Sequence, residues 1–202
     1  MPPKKSKTIE EKYKKHEHDE HILSAPDMYI GSVDKTTEEM WIYDEDDQIM
    51  VKKSIEYIPG LYKIFDEILV NAVDQYTRQR SEIDSDGNGN AKVVKNIKIS
   101  VKDNKVTIFN DGEGIPVVQH EEHKIYVPEL VLGNLLTSSN YDKEEKKVTG
   151  GKNGYGAKLG NIFSKEFNIE TIDSIREKKF VQQYRNNMKD KDKAKITRAS
   201  KS

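Results

Sequence analysis

The segment at residues 60–80 constrains the fold more than any other part of the chain, because it combines length with a clear helical periodicity. Its sequence is GLYKIFDEILVNAVDQYTRQR, and it follows Pro59, which ends the preceding strand-like run. Apolar residues recur in it at spacings of three and four, which places them on one face of an α-helix. These residues are Leu61, Ile64, Phe65, Ile68, Leu69, Ala72 and Val73. The segment is the strongest helix prediction in the chain.

Strand-like patterns lie on both sides of this helix. The run QIMVKKSIEYI at 48–58 predicts one strand or two. The run NIKISVKDNKVTIFND at 96–111 is typical of a hairpin that turns at Asp103 and Asn104. The run FNIETIDSIREKKFVQQYRNN at 167–187 predicts two strands with a polar connection.

Shorter helices are predicted in the first part of 127–140 and in YGAKLGNIFS at 155–164, whereas SEIDSDGNGN at 81–90 is predicted to be a loop. Strands and helices are thus mixed without regular βαβ alternation, and the chain has no internal repeat. This organisation favours an α+β fold.

Composition limits the class of protein. The chain has 202 residues, enough for one domain with a core of its own. It has no cysteine, which excludes a disulfide framework and a cysteine-ligated metal. Its formal net charge is -1, so no global field draws the whole chain onto nucleic acid. Lysine is concentrated at both ends, which we interpret as solvated segments; nuclear import or nucleic-acid binding is the less favoured interpretation.

Two histidine-rich stretches, HEHDEH at 16–21 and HEEH at 120–123, invite a zinc interpretation. Neither has the H-E-x-x-H spacing that places two histidines on one face of a helix. We interpret both as polar surface.

The glycine-rich stretch VTGGKNGYGAKLG at 148–160 raises the question of a phosphate site. Gly151 and Gly156 have the separation of a P-loop, but Ala157 and Lys158 stand where that motif needs Lys and then Ser or Thr. Glycines still let the backbone approach a ligand, and a helix that starts near Tyr155 would direct N–H groups toward an anion. Alone, the stretch fits a phosphate site and a flexible surface loop equally well.

Three other polar patterns bear on that question. Each has an ordinary structural interpretation when it stands alone: the solvated edge of a helix, the end of a hairpin, and the end of a helix. The patterns are Glu67, Asn71 and Asp74 on successive helical turns, Asn110 before Gly112 and Gly114 in NDGEGIP, and Thr137, Ser138, Ser139 and Asn140 in LLTSSNYD.

In this order, EILVNAVD, NDGEGIP, LLTSSNYD and KKVTGGKNGYGAKL resemble the ATPase region of eukaryotic-type DNA topoisomerase II. That family belongs to the superfamily of gyrase, heat-shock chaperones, histidine kinases and MutL. The segments YIGS, MWIYDEDD and PGLYKIFDEILVNA fit the same family, and the resemblance runs from about residue 13 to about residue 188. The forms LLTSSNYD and GGKNGYGAK favour topoisomerase II over a chaperone or a kinase.

The resemblance implies a two-layer α/β sandwich of the Bergerat type, with a mixed, largely antiparallel sheet, helices on one face and an incomplete C-terminal end. It implies ATP and Mg²⁺ as cofactors, with Glu67 as the general base and Asn71 as the metal ligand. Asn110 would read adenine. Ser138, Ser139 and Asn140 would contact ribose and phosphates. The lid over the triphosphate would comprise Gly151, Lys152, Asn153, Gly154, Tyr155, Gly156, Ala157 and Lys158, and Lys158 would be the main charge partner of the phosphates.

The resemblance also divides the chain into an N-terminal arm at 1–25, an ATPase domain at 26–188 and a charged tail at 189–202. The arm would reach a second subunit in a homodimer. The family's enzyme passes one DNA double strand through another in the nucleus, and its action on DNA topology serves chromosome segregation. Its transducer and DNA-cleavage regions have no counterpart in this sequence, so we expect a fragment with very weak hydrolysis. The alternatives are a non-catalytic nucleotide-binding or dimerisation module and a chaperone or MutL module of the same superfamily.

Overall fold

The computed structural model describes residues 18–86, 93–134 and 156–199, apart from the side chains of 82–86. The described helices are α1 (His18–Ser24), α2 (Pro59–Asp86), α3 (Val127–Gly133) and α4 (Gly156–Ile162), with a short 3₁₀ helix at Pro26–Met28. The described strands are β1 (Thr36–Asp44), β2 (Ile49–Tyr57), β3 (Ile97–Lys102), β4 (Lys105–Asn110), β5 (Glu166–Asp173), β6 (Lys178–Arg185), β7 (Asp190–Lys191) and β8 (Lys195–Arg198).

All strand pairs in the described part of the chain are antiparallel. Two of the sheets are hairpins, β1–β2 and β3–β4, and the third has four strands in which β6 pairs with β5 on one side and with β7 and β8 on the other. Helices and antiparallel strands are therefore mixed in one chain, and the prediction of an α+β fold is confirmed.

The β3–β4 hairpin turns where its sequence predicts. Asp103 and Asn104 have φ angles of 50° and 58°, the left-handed region that a two-residue turn of this kind requires. Short polar side chains tolerate that region better than most residues do. The turn fixes the register, so that Ile97 lies opposite Asn110 at the far end of the hairpin.

Two apolar clusters form the core. The first joins α1 and α4, and its buried members are Ile22, Ile30, Leu159 and Ile162. The second lies on the inner face of the four-stranded sheet, and its buried members are Val117, Ile169, Phe180 and Tyr184. The side chain of Met188 packs against both clusters and connects them.

Helix α2 differs from its prediction in two ways. It continues through 81–86, which the sequence analysis assigned to a loop, because that stretch contains no glycine or proline. Its buried stripe is also narrower than the apolar face, since Leu61 and Val73 are 63% and 46% exposed. Leu61 lies in the first turn and Val73 at the edge of the face, whereas Ala72 lies in the buried stripe.

The predicted charged tail at 189–202 is corrected by the structure over its described part. Strand β8 pairs with β6, and Ile196 lies opposite Phe180 and packs against the second cluster. A four-residue strand with one apolar residue gives almost no periodic signal beside so many lysines.

The predicted N-terminal arm at 1–25 lies mostly outside the described residues. Its described part contains α1, in which Ile22 is fully buried. The boundary at residue 25 stays a prediction.

Candidate active site

Helix α2 places Glu67 and Asn71 one turn apart. The Asn71 amide donates its Nδ2 hydrogen to the backbone oxygen of Glu67, and no described residue donates to Asn71 Oδ1. Glu67 Oε1 forms an ion pair with Lys63 Nζ at 2.7 Å. This hydrogen bond to Glu67 is the main cause that raises the pKa of Lys63. One carboxylate oxygen of Glu67 is thus held by Lys63, and the amide oxygen of Asn71 is available as a ligand.

Helix α4 meets α2 at these two side chains. A Cβ atom at Gly156 would lie 2.9 Å from Glu67 Oε2 and 3.3 Å from Asn71 Nδ2. At Gly160 a Cβ atom would lie 2.8 Å from Ile68 Cδ1. The two glycines therefore let α4 lie closely against α2. Residues that are far apart in the sequence are brought together at the carboxylate of Glu67.

Lys158 lies in the first turn of α4 and is only 2% exposed. Burial lowers the pKa of its ammonium group to about 8, because desolvation disfavours the charged form. A buried ammonium group gains stability from an adjacent anion. Lys158 is therefore suited to bind a phosphate that enters beside α4.

The NDGEGIP loop begins where β4 ends. Asn110 Oδ1 accepts a hydrogen bond from the backbone N–H of Gly112 at 3.3 Å, which closes an Asx turn. At Gly114 a Cβ atom would lie 2.2 Å from the backbone oxygen of Ile172 in β5, so only glycine fits there. The loop is thereby fixed against the four-stranded sheet.

Two glutamines that were not predicted as site residues hold this loop to α2. Gln75 and Gln79 both donate through Nε2 to the backbone oxygen of Glu113, at 3.0 and 3.2 Å. Gln79 is buried, and its Oε1 accepts from the backbone N–H of Val94 at 3.1 Å. The available signal was their spacing, since Asn71, Gln75 and Gln79 follow one another at intervals of four along one face of α2.

Two aspartates that were not singled out also hold the loop. Asp111 Oδ1 accepts from the backbone N–H groups of Lys95 and Asn96, at 2.7 and 2.9 Å, and Asp111 Oδ2 accepts from Asn96 Nδ2 at 2.8 Å. These hydrogen bonds, above all that from the Asn96 side chain, hold the pKa of Asp111 well below its usual range.

The second aspartate is Asp173, whose side chain is almost fully buried at the end of β5. Its carboxylate accepts from the backbone N–H of Val117 at 2.8 Å and from Arg176. Burial acts to raise the pKa of Asp173, but these hydrogen bonds and the charge of Arg176 together lower it below the usual value. Both aspartates therefore serve the fold as carboxylates.

The structure places Gly156 beside Glu67 and Asn71, and Ala157 and Lys158 follow Gly156 in the first turn of α4. Asn110 lies at the start of the NDGEGIP loop, which α2 holds through Gln75 and Gln79. The remaining predicted contacts lie outside the described residues and stay predictions: Ser138, Ser139, Asn140, Gly151, Lys152, Asn153, Gly154 and Tyr155.

Two kinds of feature are absent from the described ranges. No group of three or more His, Asp or Glu residues within them could hold a metal ion. No helix in the same ranges is long and apolar enough to cross a membrane.

The chain is similar to proteins named DNA topoisomerase 2 over almost its whole length. It is 52% identical over 197 residues to the protein of Pisum sativum, which covers 98% of this chain and 13% of that protein. It is 53% identical over 196 residues to the protein of Arabidopsis thaliana, covering 97% of this chain and 12% of the relative. The chain thus spans about an eighth of the length of these relatives. No protein-family model matches it.

Solved structures agree with the sequence comparison. The ATPase and transducer domains of DNA topoisomerase II from Balamuthia mandrillaris match with a TM-score of 0.86 and 49% identity, over 96% of this chain and 47% of that one. The ATPase region of Saccharomyces cerevisiae topoisomerase II matches with a TM-score of 0.85 and 48% identity, over 95% of this chain and 48% of that one. The chain therefore belongs to the eukaryotic type II DNA topoisomerase family and corresponds to part of its ATPase region.

Proposed function

We propose that the chain is an ATP-binding and ATP-hydrolysing domain of a type II DNA topoisomerase, in which ATP turnover drives double-strand passage. The observation that carries the proposal is the meeting of α2 and α4, where Gly156 lies against Glu67 and Asn71 and where Lys158 is buried two positions after Gly156. A carboxylate, an amide oxygen and a buried ammonium group can act in triphosphate hydrolysis as the water-positioning base, the metal ligand and the charge partner of the phosphates.

Asn71 would hold Mg²⁺. Its Oδ1 is a hard oxygen donor to which no described residue donates a hydrogen bond, and Mg²⁺ takes few protein ligands because it keeps waters and phosphate oxygens. When bound, Mg²⁺ would neutralise charge on the phosphates. The hydrogen bond from Asn71 Nδ2 to the backbone of Glu67 keeps the amide in one orientation, so the donor set fits the ion.

Glu67 would orient the attacking water and accept its proton. Because Lys63 binds Oε1, the proton acceptor would be Oε2, the oxygen that lies against Gly156. Lys158 would bind the phosphates and stabilise their charge in the transition state.

The remaining contacts complete the nucleotide site. Asn110 would read the adenine, and Gln75 and Gln79 would hold its loop in place. Ser138, Ser139 and Asn140 would bind ribose and phosphates. The lid would comprise Gly151, Lys152, Asn153, Gly154, Tyr155, Gly156, Ala157 and Lys158.

We extend the proposal to the longer protein. There, residues 1–25 would reach a second subunit in a homodimer, 26–188 would form the ATPase domain, and DNA would be bound by the whole enzyme. The nucleus and chromosome segregation are the corresponding location and process. The alternative, a nucleotide-binding or dimerisation module without turnover, uses the same site and differs only in the chemical step.

Measurement of both binding and turnover separates these functions. We expect the chain to bind a non-hydrolysable ATP analogue with Mg²⁺ and to hydrolyse ATP slowly. Glu67→Gln should keep the binding and abolish the turnover. Glu56→Gln is the matched control, because Glu56 also pairs with a lysine at 2.7 Å but lies on β2, away from the site. Binding with no turnover in the unmodified chain would support the alternative, and no binding at all would contradict both.

A further inference from the structure

Helix α4 is held by its neighbours on two sides. Toward α2 the contact is Gly160 against Ile68. Toward α3 it is a hydrogen bond from Asn161 Nδ2 to the backbone oxygen of Leu132 at 3.3 Å. A helix of seven residues is too short to be stable alone, so its position depends on contacts of this kind.

Asn161 lies close enough to Lys158 along α4 to influence its position. The two residues lie three apart on α4 and therefore on adjacent turns of the same face. Both are buried, and Asn161 is 0% exposed. A change in the packing of the Asn161 side chain would therefore move the turn that carries the ammonium group of Lys158.

The amide of Asn161 is only half satisfied. Its Oδ1 is the one buried side-chain nitrogen or oxygen atom in the described part of the chain that has no hydrogen-bond partner. A buried acceptor without a partner destabilises the folded state, and an apolar side chain of similar shape would avoid that penalty. Stability of the fold alone therefore does not account for an asparagine at this position.

A second asparagine, Asn187, provides a control for Asn161. Asn187 Nδ2 donates to the backbone oxygen of Ile162 at 2.7 Å, so it holds the last residue of α4, the end away from Lys158. Its φ angle is 60°, a value that glycine also adopts without strain. Asn187→Gly would therefore remove a similar amide hydrogen bond from the same helix without straining the backbone.

We propose that Asn161 is a positioning residue of the nucleotide site, whose buried amide ties α4 to the end of α3 and thereby sets where Lys158 meets the phosphates. This inference rests on the proposed function, since it assigns the placement of a phosphate-binding group. Asn161 itself touches no substrate and acts through Lys158.

The test is a double-mutant cycle on the affinity for a non-hydrolysable ATP analogue with Mg²⁺. In the full chain we expect Asn161→Ala to weaken binding by about tenfold. When Lys158→Met is already present, Asn161→Ala should add almost nothing, because the group that it positions is gone. Asn187→Gly should lower the Tm while the dissociation constant of the folded protein stays close to that of the unmodified chain.

The outcomes separate the two proposals. If the unmodified chain binds no analogue, the proposed function fails and the role of Asn161 fails with it. If it binds and Asn161→Ala binds equally well, or loses as much affinity with Lys158→Met as without it, only the positioning role is overturned. If Asn161→Ala does not fold, Asn161→Ser takes its place in the cycle, since it keeps a short donor. Unfolding of both variants would show a structural role and would overturn the inference.

Discussion

At the residue scale, the site depends on a position that has no side chain. Gly156 lies so close to Glu67 and Asn71 that any other residue would displace the carboxylate or push α4 away from α2. Lys158, two positions after Gly156, contrasts with it, because its side chain is long, charged and buried. The site thus combines close backbone approach with a desolvated charge.

The first prediction concerns Gly156→Ala. Alanine favours a helix over glycine by roughly 0.5–1 kcal/mol, so the fold should not lose stability from the change in propensity. The added methyl group would meet Glu67 Oε2 at 2.9 Å and should weaken binding of the ATP analogue or abolish turnover. Thermal unfolding and titration of the same samples check this. An unchanged affinity and an unchanged turnover would contradict the close approach.

The second prediction concerns pH. The pKa of Lys158 is lowered to about 8 by burial, and a bound phosphate would raise it again, because it favours the protonated form. At a pH between the pKa of Lys158 in the free protein and its pKa in the complex, the complex holds one more proton than the free protein. Affinity for the analogue should therefore fall as pH rises above 8, by up to about tenfold per pH unit.

Lys158→Met is the control for the pH measurement, because it has a side chain of similar length without the ammonium group. Its affinity should be weak at every pH and should show no fall above pH 8. An equal fall in this variant would assign the titration to another group.

At the element scale, α2 carries both the proposed catalytic and metal-binding residues and the residues that support the site. Glu67 and Asn71 face the first residue of α4, while Gln75 and Gln79 hold the loop after β4. One helix therefore fixes the distance between the two parts of the site.

The third prediction tests that support. Gln79→Ala would leave the backbone N–H of Val94 without a partner and would remove one of two donors to Glu113. Buried groups that lose a partner cost about 1–3 kcal/mol each, so the free energy of unfolding should fall by roughly that amount. Chemical denaturation measures it. Gln119→Ala, at an exposed position, is the control and should have little effect.

The fourth prediction tests the strand that replaces the expected tail. Ile196→Ala should lower the free energy of unfolding by roughly 1–2 kcal/mol, less than a fully buried isoleucine would, because Ile196 is only partly buried. Thr197→Ala, at the exposed neighbouring position, should be nearly neutral. Equal stability of the two variants would favour the original interpretation of a solvated tail.

Elements with a local signal could be predicted from the sequence. Helix α2, the β3–β4 turn and the two strands β5 and β6 were all expected, because periodicity and turn residues act over short distances. Of the site, the placement of Glu67 and Asn71 on successive turns also followed from spacing. Strand β8 and the Asn161 contact could not be predicted, since both depend on partners that are distant in sequence.

At the scale of the whole molecule, the chain corresponds to a small part of the longer proteins to which it is similar. It covers 13% of the Pisum sativum protein and 47% of the solved Balamuthia mandrillaris chain, which comprises ATPase and transducer domains. We therefore propose coupling between ATP and DNA only for the longer protein, whereas nucleotide binding can be tested in the 202-residue chain.

The most direct test of the account is the Mg²⁺ dependence of ATP-analogue binding, measured by equilibrium titration of the unmodified chain and of Asn71→Ala. Asn168→Ala, an exposed asparagine on β5, is the control. We predict that Mg²⁺ strengthens binding in the unmodified chain and in the control, and that this gain is lost in Asn71→Ala. Equal Mg²⁺ dependence in all three folded proteins would contradict the site at the α2–α4 contact.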